Sequence, residues 1–169
     1  MPTLRFGRAR SPVAGMVWIA ESDAGVAAIS REPAPDPMLA GIRRRFPDAE
    51  LSLGEVDASV LDGSTAVSLD LRGLSPFDAR VYRVVAGIPS GTTMTYGEVA
   101  AAAGSPGAAR AVGGAMARCP LFPAVPCHRV VRAMDGWSGW GGDDRFKRRL
   151  LRAEARRPSA RRGRATDRP

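Results

Sequence analysis

The feature that most constrains the fold lies between residues 95 and 118. Thr95-Tyr96-Gly97-Glu98 has the T-x-x-E form of a capping box, in which hydroxyl and carboxylate satisfy backbone N–H groups at a helix start. Gly104 closes that short helix, and Ser105-Pro106 is expected to cap a second one over about 107–118. Two short helices across a tight glycine-bearing turn form a helix-turn-helix signature, which many helical hairpins without a ligand also carry. An amphipathic helix should precede them. Ser75 caps it, Pro76 fits its first position, and Phe77, Val81, Val84, Val85 and Ile88 share one face before Pro89-Ser90-Gly91 stops it. A last helix is expected over roughly 144–155.

Upstream the pattern changes. Short apolar runs at 16–20 and 26–30 flank Ser22-Asp23-Ala24-Gly25, a hairpin signal, and 37–46 reads as a helix ending in Arg43, Arg44 and Arg45. Alternation over 66–71 suggests a third strand, with loops between. The chain therefore reads as α+β, with an α/β segment over 1–74, a mostly helical segment over 75–155 and a basic, disordered tail over 156–169. At 169 residues it suits one domain or two small ones sharing an interface. No apolar run approaches the roughly 20 residues that span a bilayer. Arg5, Arg8 and Arg10 before the run 13–20 imitate a signal peptide, but Gly15 interrupts it and Glu21-Ser22-Asp23 follow where small residues belong. The expectation is a cytoplasmic protein without a membrane partner.

The net charge of +8 is concentrated at one end: residues 143–169 hold eleven basic and four acidic side chains. Such a patch suits a polyanion, nucleic acid above all, although a solvated arginine tail explains its last part equally well. The second helix of the pair, AARAVGGAMAR, lacks the long polar side chains that read base edges in a major groove. Its small residues fit either close packing within the protein or shallow, sequence-indifferent contact with DNA, with Arg110 as a probe.

Chemistry points to Val125-Pro126-Cys127-His128-Arg129-Val130-Val131, which sets the only histidine beside one of two cysteines. A structural cysteine in a buried strand would look the same; the alternative is a thiolate activated by a neighbouring base. Cys119 and Cys127 are eight positions apart, which is no zinc spacing, and one histidine cannot complete a tetrahedral set without carboxylates, so no metal is expected. A standing disulfide is not expected in a cytosolic chain.

Four blocks then occur in order: Thr95-Tyr96-Gly97-Glu98-Val99-Ala100, the run from Ala108 to Met116, Pro126-Cys127-His128-Arg129-Val130, and Leu150-Leu151-Arg152-Ala153-Glu154. Together they resemble the O6-alkylguanine-DNA alkyltransferase family, strongly over about 75–154 and more weakly upstream. The resemblance implies an N-terminal ribonuclease-H-like domain and a helical domain with the helix-turn-helix. It also implies irreversible, single-turnover transfer of an alkyl group from O6 of guanine (and O4 of thymine) in duplex DNA to the protein's own cysteine, without a cofactor.

By the same resemblance Cys127 is the acceptor, His128 the base acting through a water, Glu154 its orienter, and Tyr96 the donor to the departing base. Met116, Val130, Trp140 and Gly141 would hold the extruded base. Arg110 would fill the vacated stack, and Thr95, Ala111, Gly113, Gly114 and Arg129 would contact minor-groove DNA, the protein acting as a monomer. Two positions depart from the family: Cys119 stands where asparagine is common, and Trp140 where tyrosine is common. Competing readings are a lesion-binding relative without transfer, whose members carry tryptophan at the acceptor position, and a helix-turn-helix regulator with a structural Cys127.

Overall fold

Residues 1–62, 67–134 and 143–156 are described by a computed structural model of the chain. A four-stranded sheet in the order β3-β2-β1-β4 forms the first half, from β1 (Thr3–Ser11), β2 (Gly15–Ser22), β3 (Gly25–Ser30) and β4 (Glu50–Leu53). The first three strands run antiparallel, so the expected hairpin is present, and β4 lies parallel to β1. Parallel pairing needs a crossover, supplied by helix α1 (Asp36–Arg45). Its buried Met38 and Ile42 pack with Leu4, Ala20, Ala27 and Phe46.

Two of these strands carry weak sequence signals. In β1 the buried position between Leu4 and Ser11 is Gly7, where a Cβ would collide with the Gly54 carbonyl. The backbones meet there, Gly54 N–H donating to the Phe6 carbonyl at 2.9 Å, so glycine replaces the apolar residue that would have completed the alternation. β4 is an edge strand exposed along most of its length and shows no burial period. The strand expected over 66–71 reduces to one parallel bridge between Leu69 and Val26. Asp70, buried next to it, turns aside to bind Arg72 at 2.7 Å and Ser22 at 2.6 Å. Ala66 lies outside the described residues.

The second half is helical. Ser75 Oγ accepts from Asp78 N–H at 3.0 Å to start α2 (Pro76–Ala86), which buries Val81, Tyr82 and Val85. The capping box of α3 (Tyr96–Ala102) is complete: Glu98 N–H donates to Thr95 Oγ1 at 3.2 Å, and Thr95 N–H to Glu98 Oε2 at 2.7 Å. α4 (Ala109–Ala117) starts later than expected, and Ser105-Pro106 does not cap it. Gly104 and Gly107, at φ +76° and +86°, each turn the chain before Ala108. α5 (Asp144–Ala155) occupies the expected span.

One apolar core joins the halves: Val17, Ile19, Val26 and Ile29 pack in the same cluster as Val81, Val85, Val112, Met116 and Cys127. Ile29 N–H also donates to the Pro120 carbonyl at 2.6 Å, tying β3 to the segment that leads into the cysteine. Among the described residues no helix is long and apolar enough to cross a membrane.

Candidate active site

The site is assembled by a two-residue ladder, β5 (Met94–Thr95) parallel to β6 (Val130–Val131). Tyr96 follows β5 directly, and the tight turn Cys127–Arg129 immediately precedes β6. The pairing therefore brings the tyrosine alongside the cysteine although they are 31 positions apart. Residues 121–131 are buried without a break, Cys127 and His128 at 1% exposure each. Cys127 Sγ donates to the Val125 carbonyl at 3.3 Å.

α5 delivers the carboxylate from the other side. Glu154 Oε1 lies 2.8 Å from His128 Nε2. Arg129 grips the same carboxylate through Nε at 3.0 Å and Nη2 at 2.8 Å, while its Nη1 donates to the Ile88 carbonyl at 2.6 Å. These bonds hold Glu154 down to about 2, since burial, which alone would raise it, is outweighed by His128 and Arg129. A carboxylate so held fixes the imidazole proton on Nε2, a tautomer assigned from this contact. His128 Nδ1, buried and without a partner among the described residues, keeps its lone pair. Burial lowers the His128 pKa despite Glu154, so the ring rests neutral at pH 7. Phe122 steadies it with an edge contact, centroids 5.7 Å apart.

Two corrections follow. Arg129 is 2% exposed and wholly occupied with Glu154 and Ile88, so it is a positioning residue and not the DNA contact expected. The resting sulfur is a thiol and not a thiolate. The neighbouring Cys119 thiol and burial raise the Cys127 pKa well above the usual range, outweighing the lowering contributions of its own backbone N–H and of Lys147. Tyr96 also holds its proton firmly, burial raising its pKa, as a donor requires.

Lys147 was missed in the sequence. Fully buried on α5, it donates to the Val130 carbonyl at 2.6 Å and sits 5.9 Å from the Tyr96 ring centroid. The available signal was helical spacing, because Lys147, Leu150 and Glu154 fall on one face of α5. Among the described residues no three His, Cys, Asp or Glu side chains converge as metal ligands.

α4 turns Val112, Ala115 and Met116 inward, while Arg110 and Ala111 are exposed and Gly113 and Gly114 half-exposed. A Cβ on Gly113 would meet nothing within 4 Å. Internal packing therefore does not require that glycine, and the external reading of the small-residue face gains by it. Met116 lines a cavity of about 450 Å³ with Cys127, Cys119 and Phe122. Thr95 serves as the cap of α3, and the Val130 carbonyl accepts from Lys147. Tyr96 and Val130 do not line this cavity, and Trp140 and Gly141 lie outside the described residues.

Residues 76–156 match the family described as 6-O-methylguanine DNA methyltransferase, DNA binding domain. The methylated-DNA–protein-cysteine methyltransferase of Mycolicibacterium paratuberculosis is 44% identical over 117 residues, 69% of this chain and 70% of that protein. Similarity to Mycobacterium tuberculosis and Mycobacterium bovis proteins of that name spans only 56% of their length. The solved Mycobacterium tuberculosis O6-methylguanine methyltransferase is 31% identical with a TM-score of 0.70, covering 94% of this chain and 96% of that one. The Mycobacterium tuberculosis OGT structure in complex with DNA is 30% identical with a TM-score of 0.66, covering 89% and 92%.

Proposed function

The chain belongs to the methylated-DNA–protein-cysteine methyltransferase family, DNA-binding proteins that repair DNA by alkyl transfer, and we propose that Cys127 accepts the alkyl group from O6 of guanine in duplex DNA. One observation carries the assignment of roles: Glu154 occupies His128 Nε2 at 2.8 Å and leaves a buried Nδ1 lone pair on the residue next to the only fully buried cysteine. The thiol proton passes to Nδ1 through one water as the sulfur attacks the alkyl carbon. An S–C bond forms, the C–O6 bond breaks, and guanine leaves as an anion that takes a proton from Tyr96. The thioether has no route back, so each molecule acts once. The roles parallel a hydrolase triad without its second half-reaction.

Access to a base in duplex DNA requires extrusion. α4 enters the minor groove with its small face, Arg110 fills the vacated stack, and Ala111, Gly113, Gly114 and Thr95 lie against the backbone. Met116 with Trp140, and Val130 with Gly141, hold the extruded base. The strand order β3-β2-β1-β4, with only β4 parallel, supports a ribonuclease-H-like first domain over 1–74 beside a DNA-binding domain over 75–155. In this proposal the protein acts as a cytoplasmic monomer.

The test is mass spectrometry after incubation with duplex DNA containing O6-methylguanine. Trypsin, cutting after Arg118 and Arg129, releases both cysteines in one peptide, 119–129, which should gain one methyl group. Fragment ions should place it on Cys127; a methyl group on Cys119, or none, would reject the proposal.

Two substitutions probe the DNA face. Arg110→Ala should leave transfer from free O6-methylguanine base unchanged while slowing transfer from duplex, and equal losses on both would sink the extrusion role. Gly113→Ala should stabilise α4 by about 1 kcal/mol, because alanine is the better helix former. The same methyl group should weaken duplex binding through its loss of close approach. A thermal melt and a binding titration must move in opposite senses.

A further inference from the structure

The proposed transfer leaves one reactive group unused. Cys119 follows the last turn of α4, its N–H directed at the Met116 carbonyl at 3.4 Å. From there the chain doubles back through a buried segment to Cys127. Cys119 packs against the same apolar cluster that buries Cys127. Both also border the same cavity of about 450 Å³, which Arg31, Glu32 and Asp143 rim with exposed polar groups. They differ in access: Cys119 is half-buried, whereas Cys127 is closed off from solvent. They are the only cysteines in the chain.

We infer that Cys119 and Cys127 form a redox pair, which a hydroperoxide converts into a reversible disulfide that takes the acceptor sulfur out of use. The bond rests on the juxtaposition of the sulfurs alone; its consequence for repair rests on Cys127 being the acceptor. The sulfur reached through the cavity is the one that meets the oxidant. Cys119 thiolate attacks the peroxide O–O bond, giving a sulfenic acid and, after protonation of the leaving oxygen, one water. Cys127 sulfur then attacks the sulfenic sulfur, and the displaced hydroxide takes the thiol proton as a second water. Two thiols and one hydrogen peroxide yield one disulfide and two waters. The two electrons lost by sulfur are those gained by the peroxide, and a dithiol returns the pair by exchange.

The arrangement has a chemical logic. A protein that transfers once cannot replace an acceptor sulfur oxidised to sulfinic acid, which is irreversible, whereas a disulfide retains it. Disulfides of cytosolic proteins are typically of this transient kind and not structural. Asparagine, common at this position in the family that the chain resembles, could not form one.

The test uses the full chain, fully reduced and then exposed to equimolar hydrogen peroxide. Free thiols are capped with iodoacetamide before digestion without reductant. Peptide 119–129 should lose two hydrogens and take up no cap. The oxidised protein should accept no methyl group from O6-methylguanine duplex, and dithiothreitol should restore uptake fully. Cys119→Ser and, independently, Cys119→Ala should show no such mass loss, whereas Cys127→Ser should yield a Cys119 that a sulfenic-acid trap labels. If both sulfurs remain open to the cap, or if Cys127 goes to sulfinic acid with no link, the redox pair is refuted, and methyl uptake by reduced protein would leave the acceptor assignment standing. A link formed in a protein that takes no methyl group when reduced would uphold the pair and overturn the acceptor instead.

Discussion

Replacing Cys127 with alanine is expected to abolish alkyl uptake outright while leaving duplex DNA binding intact. The reaction forms a carbon–sulfur bond, and no neighbouring group can stand in for the missing nucleophile. Cys119 borders the same cavity as Cys127, yet it lies outside the turn Cys127–Arg129 that carries His128. The proposed DNA face is the side of α4 opposite its buried Val112, Ala115 and Met116, so affinity should survive. Removing a buried sulfur opens only a small void, for which about 1–2 kcal/mol of stability is expected to be lost. Intact mass after incubation with O6-methylguanine duplex, together with a binding titration, decides the matter. Residual methyl gain by this variant would mean that another residue is the acceptor.

Glu154→Gln is expected to injure both stability and rate. The amide keeps the shape but removes the charge, leaving the Arg129 guanidinium buried against Ile88 without its counter-ion. Breaking a buried pair from one side is expected to cost roughly 3–5 kcal/mol. His128 loses the partner that fixes its proton on Nε2, and the base contribution of roughly 10²–10⁴-fold in rate should fall away with it. Single-turnover transfer at saturating DNA measures the rate, and urea unfolding measures the stability. A variant as fast as the parent would remove Glu154 from the relay.

The same carboxylate sets the response to acid. Glu154 sits at about 2 in the folded protein against an ordinary 4.5, so its contribution is fully present above 4.5 and is lost as pH falls from there. His128 adds to this from a higher window. Its folded value lies below the ordinary 6.5, so the unfolded chain takes the proton first and stability begins to decline below 6.5. Urea midpoints should therefore fall on acidification, more steeply below 4.5, and Glu154→Gln should flatten the lower part of that curve. A midpoint that rises as pH drops would contradict both shifts.

Local signals made the helices legible and non-local ones hid the rest. The capping box at Thr95 and the span of α5 could be read because residues three or four apart decide them. β1 escaped because Gly7 answers to Gly54, far along the chain, and no window of neighbours contains that collision. Within the site, Cys127 and His128 stand out as adjacent rarities, but the link from His128 to Glu154 came from family resemblance, since nothing in the spacing announces it. Arg129 was misassigned for a related reason. The family resemblance placed it at the DNA, and folding shows instead the carboxylate that absorbs it. A buried lysine such as Lys147 defies the usual habit of that side chain, and it was missed although it shares a face of α5 with Leu150 and Glu154.

The apolar cluster that holds Cys127 also contains Val17, Ile19, Val26 and Ile29 from the opening hairpin. The reactive centre thus has no foundation of its own. A hairpin with no part in the chemistry serves as its floor, and wear at that floor would reach the sulfur and, through Val112 and Met116, α4 alike. Swapping first halves between relatives therefore means re-fitting the wall behind the cysteine, and the two halves of this chain must have been matched as one piece.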